Sequence, residues 1–494
     1  MKNFYPLKCL YNISKKNRKI IAIEQSDVTY SYKEFWAMIS NMSEKILEKK
    51  NNPLVAIVGK KNILSYVSIF SVLNSGGTYI PISSKLPFER ILKIIKLSKP
   101  SIIICETSIL KKLKNCFSKK IFFTEKNLSK KPYKTKIIPK RINNLAYIIF
   151  TSGSTGEPKG VCISRKSLDH YVKWLNTKFK ILIGKKCSQF SEISFDLSVA
   201  DIFGTLCSGG TLCSVDSIFY NLFPGRFIKD KKINYLVCVP SLIDIISNSG
   251  DLNKSNFKSL NKIFFCGEPL LNHQAKSLYK VKKNLEIINT YGPTEATVSC
   301  TYKKVKYKDL KNLSRPSISI GKPIKGMKLE LEYNSKKSKK KGEIIISGVQ
   351  VGEGYLDKIN NKNKFILRKK LANSFRTGDY VEVFNGEIYF KNRIDNQIKI
   401  KGHRIELDEI NYHLRTYGLN NVATIIYNQK IICFISAKGQ LNRKSIIKYL
   451  KKKIPDYMIP SYLYSINKIP INQNGKVDNK YLLSLTKKKI NEKK

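Results

Sequence analysis

Between residues 35 and 105, short apolar runs alternate with amphipathic stretches, and this alternation constrains the fold more than any other feature of the chain. Phe35, Met38, Ile39, Met42, Ile46 and Leu47 recur at helical spacing, which predicts a helix over 35–47 with one face turned inward. Leu54–Gly59 is a short apolar run suited to a buried strand. A helical stretch near Asn62–Leu73 follows, Gly76 and Gly77 break it, and Tyr79–Ile82 is strand-like again. Pro87 opens a further helix that ends before Pro100, and Ile102–Cys105 is the next strand. Strands alternating with helices predict a parallel, doubly wound α/β layer. The pattern resumes at Ala146–Phe150 and continues past residue 300.

The texture changes after about residue 394. Short strands (Gln397–Lys401, Val422–Tyr427, Ile431–Ser436) mix with helices near 407–416 and 442–452. A boundary is therefore expected near Asp395, with a large domain over 1–394 and a small α+β domain over 395–494. The basic run Asn334–Lys341 reads as a solvated hairpin tip, and the tail Thr486–Lys494 as frayed.

Apolar residues make up 42% of the 494 and aromatics 11%, which excludes a disordered polymer. No run of about 18 uncharged apolar residues occurs, so no membrane span is expected. The start, Met1 to Pro6, does not resemble a secretory leader. The eleven cysteines are scattered without a Cys-x-x-Cys pair, and the four histidines do not cluster. Neither a disulfide framework nor a structural zinc is indicated, and a reducing, cytoplasmic setting is expected.

Lys and Arg number 91 against 36 acidic residues, a formal charge of +55. One reading is a nucleic-acid-binding protein, to be recognised by salt-sensitive DNA binding without ATP turnover. The other is compositional. The excess is mostly Lys, spread along the whole chain beside many Asn, Ile, Tyr and Phe, whereas a dedicated patch would be Arg-rich and local. The second reading is preferred and no nucleic-acid partner is expected. The field would still draw anionic partners such as ATP or an acidic protein.

The sharpest motif is Thr151-Ser152-Gly153-Ser154-Thr155-Gly156-Glu157-Pro158-Lys159-Gly160, directly after the strand Ala146–Phe150. Glycines let backbone N–H groups approach a phosphate, and hydroxyls with a Lys add donors and charge. The spacing G-x-x-G-x-x-K-G differs from the Walker pattern.

These ten residues resemble the signature of the adenylate-forming superfamily, and further motifs follow in the family's order. They are Tyr30–Phe35, Leu73–Ser83, Phe195–Ser198, Asn289–Glu295, Gly342–Leu356, Phe375–Asp379, Asn392–Gln397, Gly402–Glu406, Tyr457–Pro460 and Asn474–Asp478. Phe195–Val199, Phe265–Glu268 and Asn289–Val298 are most similar to the members that adenylate amino acids. The resemblance implies a large α/β domain with a β-barrel-like part and a small mobile C-terminal domain. It implies ATP and Mg²⁺ as cofactors, and a monomer that loads a small amino acid, D-alanine foremost, onto the phosphopantetheine thiol of a carrier protein. An L-amino acid such as proline or serine is the alternative. A CoA ligase for fatty or aromatic acids is disfavoured by Asp196.

The resemblance also assigns roles. Lys476 is the catalytic cation that offsets charge where the substrate carboxylate meets the α-phosphate, with Arg393 engaging nucleotide after domain movement and Asp395 as the hinge. Glu295 holds Mg²⁺, Asp379 accepts the ribose hydroxyls, Tyr291 stacks on adenine and Asn289 reads its amino group. Thr151, Ser152, Thr155 and Lys159 contact the leaving phosphates, and Gly267, Glu268, Gly292 and Thr294 complete the nucleotide set. Asp196 pairs with the substrate ammonium, because a carboxylate in an apolar pocket needs a partner; the local alternative is an Asp that caps the following helix. Leu197, Ala200, Phe264, Cys266, Thr290, Val298 and Ser299 line the side-chain pocket. They are small or apolar, so a small uncharged side chain is expected. Ala200 makes the pocket roomier than in the D-alanine enzymes.

Overall fold

The computed structural model of the chain describes residues 4–131, 142–153, 155–310, 315–362, 364–366, 373–437, 441–471 and 477–491. The chain packs into two compact units. The first comprises residues 1–83, 98–150 and 160–394, and the second 84–97, 151–159 and 395–494.

The predicted α/β rhythm is present. The helix Tyr32–Lys49 begins at a capping box, in which the Ser31 hydroxyl accepts from the Glu34 backbone N–H and the Glu34 carboxylate accepts in return from the Ser31 N–H. Phe35, Met38, Ile39, Met42 and Ile46 are buried along one face. Asn62 caps the helix Ile63–Asn74 without a reciprocal bond, its side-chain oxygen accepting the Ser65 N–H at 3.1 Å.

Two sheets of the doubly wound type result. One has the strand order Ile121–Phe123, Ile102–Cys105, Leu54–Gly59, Thr78–Ser83, Leu145–Thr151, Lys159–Ser164. Its neighbours are parallel from Ile121–Phe123 through Leu145–Thr151. The second has nine strands. Its interior runs Glu286–Tyr291, Lys262–Phe265, Tyr235–Cys238, Lys186–Gln189, Thr211–Ser214, Ile21–Gln25, all parallel, with antiparallel strands at both edges. A third sheet is antiparallel and forms the barrel-like part. Lys341–Gly348 lies between Met327–Tyr333 and Ser374–Phe384, and Ser374–Phe384 also pairs with Phe365–Ile366 and Glu387–Arg393. The basic hairpin tip turns at Asn334 and Ser335, both at positive φ, the conformation that matches strand twist in a two-residue turn.

In the second unit Val422–Tyr427, Lys430–Ser436 and Tyr462–Ile466 form a three-stranded sheet covered on both faces. Ile431, Cys433 and Ile435 point to one apolar cluster, with Ile410, Leu414 and Leu450. The alternate residues Ile432 and Phe434 point to the other, with Leu482. The tail is a correction to the sequence reading. The helix Asn479–Asn491 takes in residues 486–491 of the segment read as frayed, 492–494 lying outside the described residues, and Leu482 and Thr486, one helical turn apart, are both fully buried. The Lys487-Lys488-Lys489 run hid the apolar face of that helix. No helix among the described residues is long and apolar enough to cross a membrane.

Candidate active site

The strands Tyr235–Cys238, Lys262–Phe265 and Glu286–Tyr291 lie in register, with Cys238 opposite Phe265 and Phe265 opposite Asn289. Their C-terminal ends are therefore level, and the chain leaving them carries Cys266, Gly267 and Glu268 on one side and Tyr291 to Glu295 on the other. Ligands of parallel α/β sheets bind at such ends.

Asn289 is buried. Its amide N–H donates to the Ser319 carbonyl at 2.9 Å, while Oδ1 has no hydrogen-bond partner. A buried orphan acceptor is costly unless a ligand donor satisfies it, and the exocyclic amine of adenine is such a donor. The Thr290 hydroxyl donates to the Phe265 carbonyl at 2.8 Å, so this proposed pocket residue also ties two strands together. Glu268 accepts the Ser241 N–H at 3.0 Å, and Gly267 sits at φ +100°, where a side chain would be strained.

Asp379 and Arg393 face each other across adjacent strands. The guanidinium bonds Asp379 and also donates to the Thr377 carbonyl at 3.0 Å. The Tyr291 hydroxyl donates to the same carboxylate at 2.6 Å. The pair is not the exposed one that local sequence would allow: the side chains are 9% and 4% accessible. Burial, then the negative Asp379, pushes the Tyr291 phenol well above its ordinary pKa, so it stays a donor.

Glu295 lies in the turn Thr294–Ala296 and is fully buried. The Tyr355 hydroxyl donates to its Oε1 at 2.6 Å. Among the described residues no three His, Cys, Asp or Glu side chains converge as a metal cluster. A single carboxylate suits Mg²⁺, which keeps water and takes phosphate oxygens as its other ligands.

Asp196 stands at the N-terminus of the helix Leu197–Leu206 with φ −63° and ψ −29°, and its side chain makes no capping hydrogen bond. The capping alternative is thereby set aside. Its Oδ2 accepts the Thr294 hydroxyl at 2.7 Å. Leu197, Ala200, Phe264, Cys266, Thr290, Val298 and Ser299 are all buried in the same unit. The Cys266 thiol is buried and donates to the Val298 carbonyl at 3.5 Å. Sequence reasoning missed the Thr294 link, the Tyr355 donor and the second use of Tyr291. Each joins residues far apart in the chain, and only the motifs Asn289–Glu295 and Gly342–Leu356 hinted at them.

The phosphate-type loop is in the second unit. The Gly156 N–H closes onto the Gly153 carbonyl at 3.0 Å, and a Cβ on Gly153 would meet the Glu157 carbonyl oxygen at 2.0 Å, so only glycine fits there. Ser152 donates to the Arg404 carbonyl at 2.8 Å and Thr151 to the Lys159 carbonyl at 3.5 Å. Lys93 reaches the Gly156 carbonyl at 3.1 Å and the Glu157 carboxylate at 2.6 Å. Thr155 is exposed and Lys159 half-buried. Asp395 accepts the Gln397 N–H at 3.3 Å. Lys476, with Asn474 and Gly475, and Ser154 lie outside the described residues.

Comparison with known proteins gives one consistent answer. Residues 11–356 match the family of AMP-binding enzymes. The D-alanine–D-alanyl carrier protein ligase of Listeria monocytogenes is 31% identical over 490 residues, covering 93% of this chain and 95% of that one. The Vibrio cholerae adenylation domain AlmE, solved in complex with glycyl-adenosine-5'-phosphate, superposes with TM-score 0.87 at 24% identity over 98% of both chains. A nonribosomal peptide synthetase protein containing adenylation and carrier (PCP) domains, PA1221, gives TM-score 0.81 at 20% identity over 98% of this chain and 85% of that one. The chain belongs to the AMP-binding enzymes and is an adenylate-forming ligase that uses ATP.

Proposed function

We propose that the protein activates a small amino acid, D-alanine first, as its aminoacyl adenylate and passes it to the phosphopantetheine thiol of a carrier protein. The observation that carries this reading is Asp196. Its half-buried carboxylate makes no helix cap, accepts the Thr294 hydroxyl, and belongs to a unit whose neighbouring specificity positions are small or apolar. An anion kept in such a place suits a substrate ammonium. The named activity of the Listeria relatives supports D-alanine. The carrier is supported by those names and by the carrier domain of the PA1221 protein.

In this reading Asn289 accepts from the adenine amine, Asp379 from the ribose diol, and the buried Tyr291 ring gives the base a flat face. Glu268, Gly267, Gly292 and Thr294 shape the nucleotide side. Thr151, Ser152, Thr155 and Lys159 donate to the departing phosphates. Lys476 places positive charge where the carboxylate attacks the α-phosphate, the point at which two anions meet. Mg²⁺ on Glu295, when bound, neutralises phosphate oxygens. Arg393, now committed to Asp379, is the residue that rearranges, and Asp395 begins the segment that lets it do so.

Pyrophosphate exchange over a panel of amino acids tests the assignment. D-alanine is expected to give the highest kcat/KM, and Lys476→Ala to lower it by about 10²–10³. Because Ala200 leaves room, L-proline and L-serine belong in the panel, and preference for either would move the protein to a peptide-forming route. No exchange with any amino acid would end the proposal.

A further inference from the structure

Thr297 and Val298 are consecutive, β-branched and both left-handed, with φ +57° and +68°. A β-branched residue at positive φ is a true outlier, and such a pair persists only where the surroundings over-determine it. Both are buried, as is the next residue, Ser299. The Ser299 N–H bonds back to the Thr297 carbonyl at 2.8 Å, closing a three-residue turn.

The surroundings that hold this turn come from Gln350, fully buried in the first unit and distant in sequence. Its side-chain amide donates to the Ser299 carbonyl at 3.0 Å and lies 3.4 Å from the Thr297 carbonyl. Its backbone carbonyl accepts the Thr297 hydroxyl at 2.6 Å. Gln350 thus grips the turn from both sides of Val298. The turn touches both halves of the candidate site. The Val298 carbonyl accepts the Cys266 thiol, and a Cβ on Gly292 would come within 2.5 Å of the Ser299 Cα. The Cys300 N–H, one residue on, bonds the Tyr291 carbonyl at 2.8 Å.

We infer that Gln350 is a positioning residue for amino-acid recognition. It clamps the strained Thr297–Val298 turn, so that Val298 and Cys266 meet the substrate side chain in one fixed geometry. The inference rests on the proposed reading that these residues line the substrate pocket. A freely relaxing turn would return to negative φ and swing Val298 out of place. The clamp therefore sharpens discrimination between side chains more than it affects binding of nucleotide.

The test is Gln350→Met, which keeps length and volume but removes both donors. The KM for the preferred amino acid is expected to rise about 10- to 50-fold, with ATP KM changing less than about threefold and the preference among amino acids flattening. Adding Thr297→Gly, which accepts φ +57° without strain, is expected to recover at least about fivefold of that KM. A merely structural role for Gln350 would lower stability and kcat for all substrates alike and would show no such rescue. If Gln350→Met fails to fold, Gln350→Asn, which keeps the amide but loses its reach, carries the same expectation. A folded variant with unchanged amino-acid KM and unchanged preference overturns the inference. Failure of the wild-type protein to exchange with any amino acid would instead strike the functional reading, which keeps the two outcomes apart.

Discussion

In the first unit the Asp196 carboxylate accepts a hydroxyl from Thr294, whereas in the second unit the Glu409 carboxylate is paired with the guanidinium of Arg90, both side chains being buried. The chemical difference between these two bonds is charge, and under the proposed function it sets a binding residue beside a structural pair. A hydroxyl donates one hydrogen bond and brings no charge of its own. A guanidinium neutralises the carboxylate. The buried pair then fixes the segment around Arg90 against the helix Leu407–Thr416, and removing either member strands a charge away from water. Asp379 stands between these extremes. It takes both a hydroxyl, from Tyr291, and a guanidinium, from Arg393.

The contrast predicts that substituting each acid, or its partner, harms a different property. Asp196→Asn should lower amino-acid-dependent pyrophosphate exchange on the order of 10³-fold, about 4 kcal/mol in kcat/KM, while the denaturant midpoint stays close to wild type. Arg90→Met should do the reverse. Stability measured by denaturant unfolding should fall by ~3 kcal/mol, and adding Glu409→Leu should restore most of it, because an apolar pair replaces a buried ion pair at little net loss. A stability loss in Asp196→Asn as large as that of Arg90→Met would break the distinction between the two kinds of acid.

Much of this was legible in the sequence, and the limits are physical. Strands and helices over 35–105 declare themselves because short continuous apolar runs, buried on both faces, alternate with longer stretches such as the helical-period face of 35–47, and Ser31 and Asn62 supply the helix caps. Asn289 to Glu295 and Asp379 are candidates through motifs that resemble the family's, and the fold brings Tyr291 and Asp379 within hydrogen-bond reach. What was not legible is partnership across the chain. Nothing near Arg90 announces Glu409, and nothing near Val298 announces Gln350. Those links depend on how distant segments fold together, and short-range patterns carry no trace of them. The C-terminal helix was misread for a different reason: its two buried positions, Leu482 and Thr486, are embedded in lysines and one of them is polar.

The second unit should also be the acid-labile one. Burial holds the His413 imidazole neutral and brings its pKa down to about 4, against the opposing pull of Glu409, with Lys93, Arg90 and Lys453 adding to the depression. Below its ordinary pKa of about 6.5 the unfolded chain binds a proton that the folded chain refuses, so this contribution to stability is complete above pH 6.5 and is lost as pH falls toward 4. Between pH 7.5 and pH 5 the loss from this residue comes to ~2 kcal/mol. Unfolding curves of wild type and His413→Phe at those two pH values measure it, and the variant should show a pH dependence smaller by that amount. An identical dependence would mean that His413 is hydrated in the folded protein.

The smallest expected effect is the most pointed test of the intermediate case. Tyr291→Phe keeps the aromatic face but removes the hydroxyl from Asp379, which retains its bond to Arg393. Losing one hydrogen bond to a charged group should amount to ~1 kcal/mol, an ATP KM about fivefold higher, with the amino-acid KM unchanged. If Asp379 is held chiefly by the guanidinium, as Glu409 is, ATP KM will not move, and the acid belongs with the structural class. If the hydroxyl matters, Tyr291 helps to hold the Asp379 carboxylate in place, as the Thr294 hydroxyl does for Asp196.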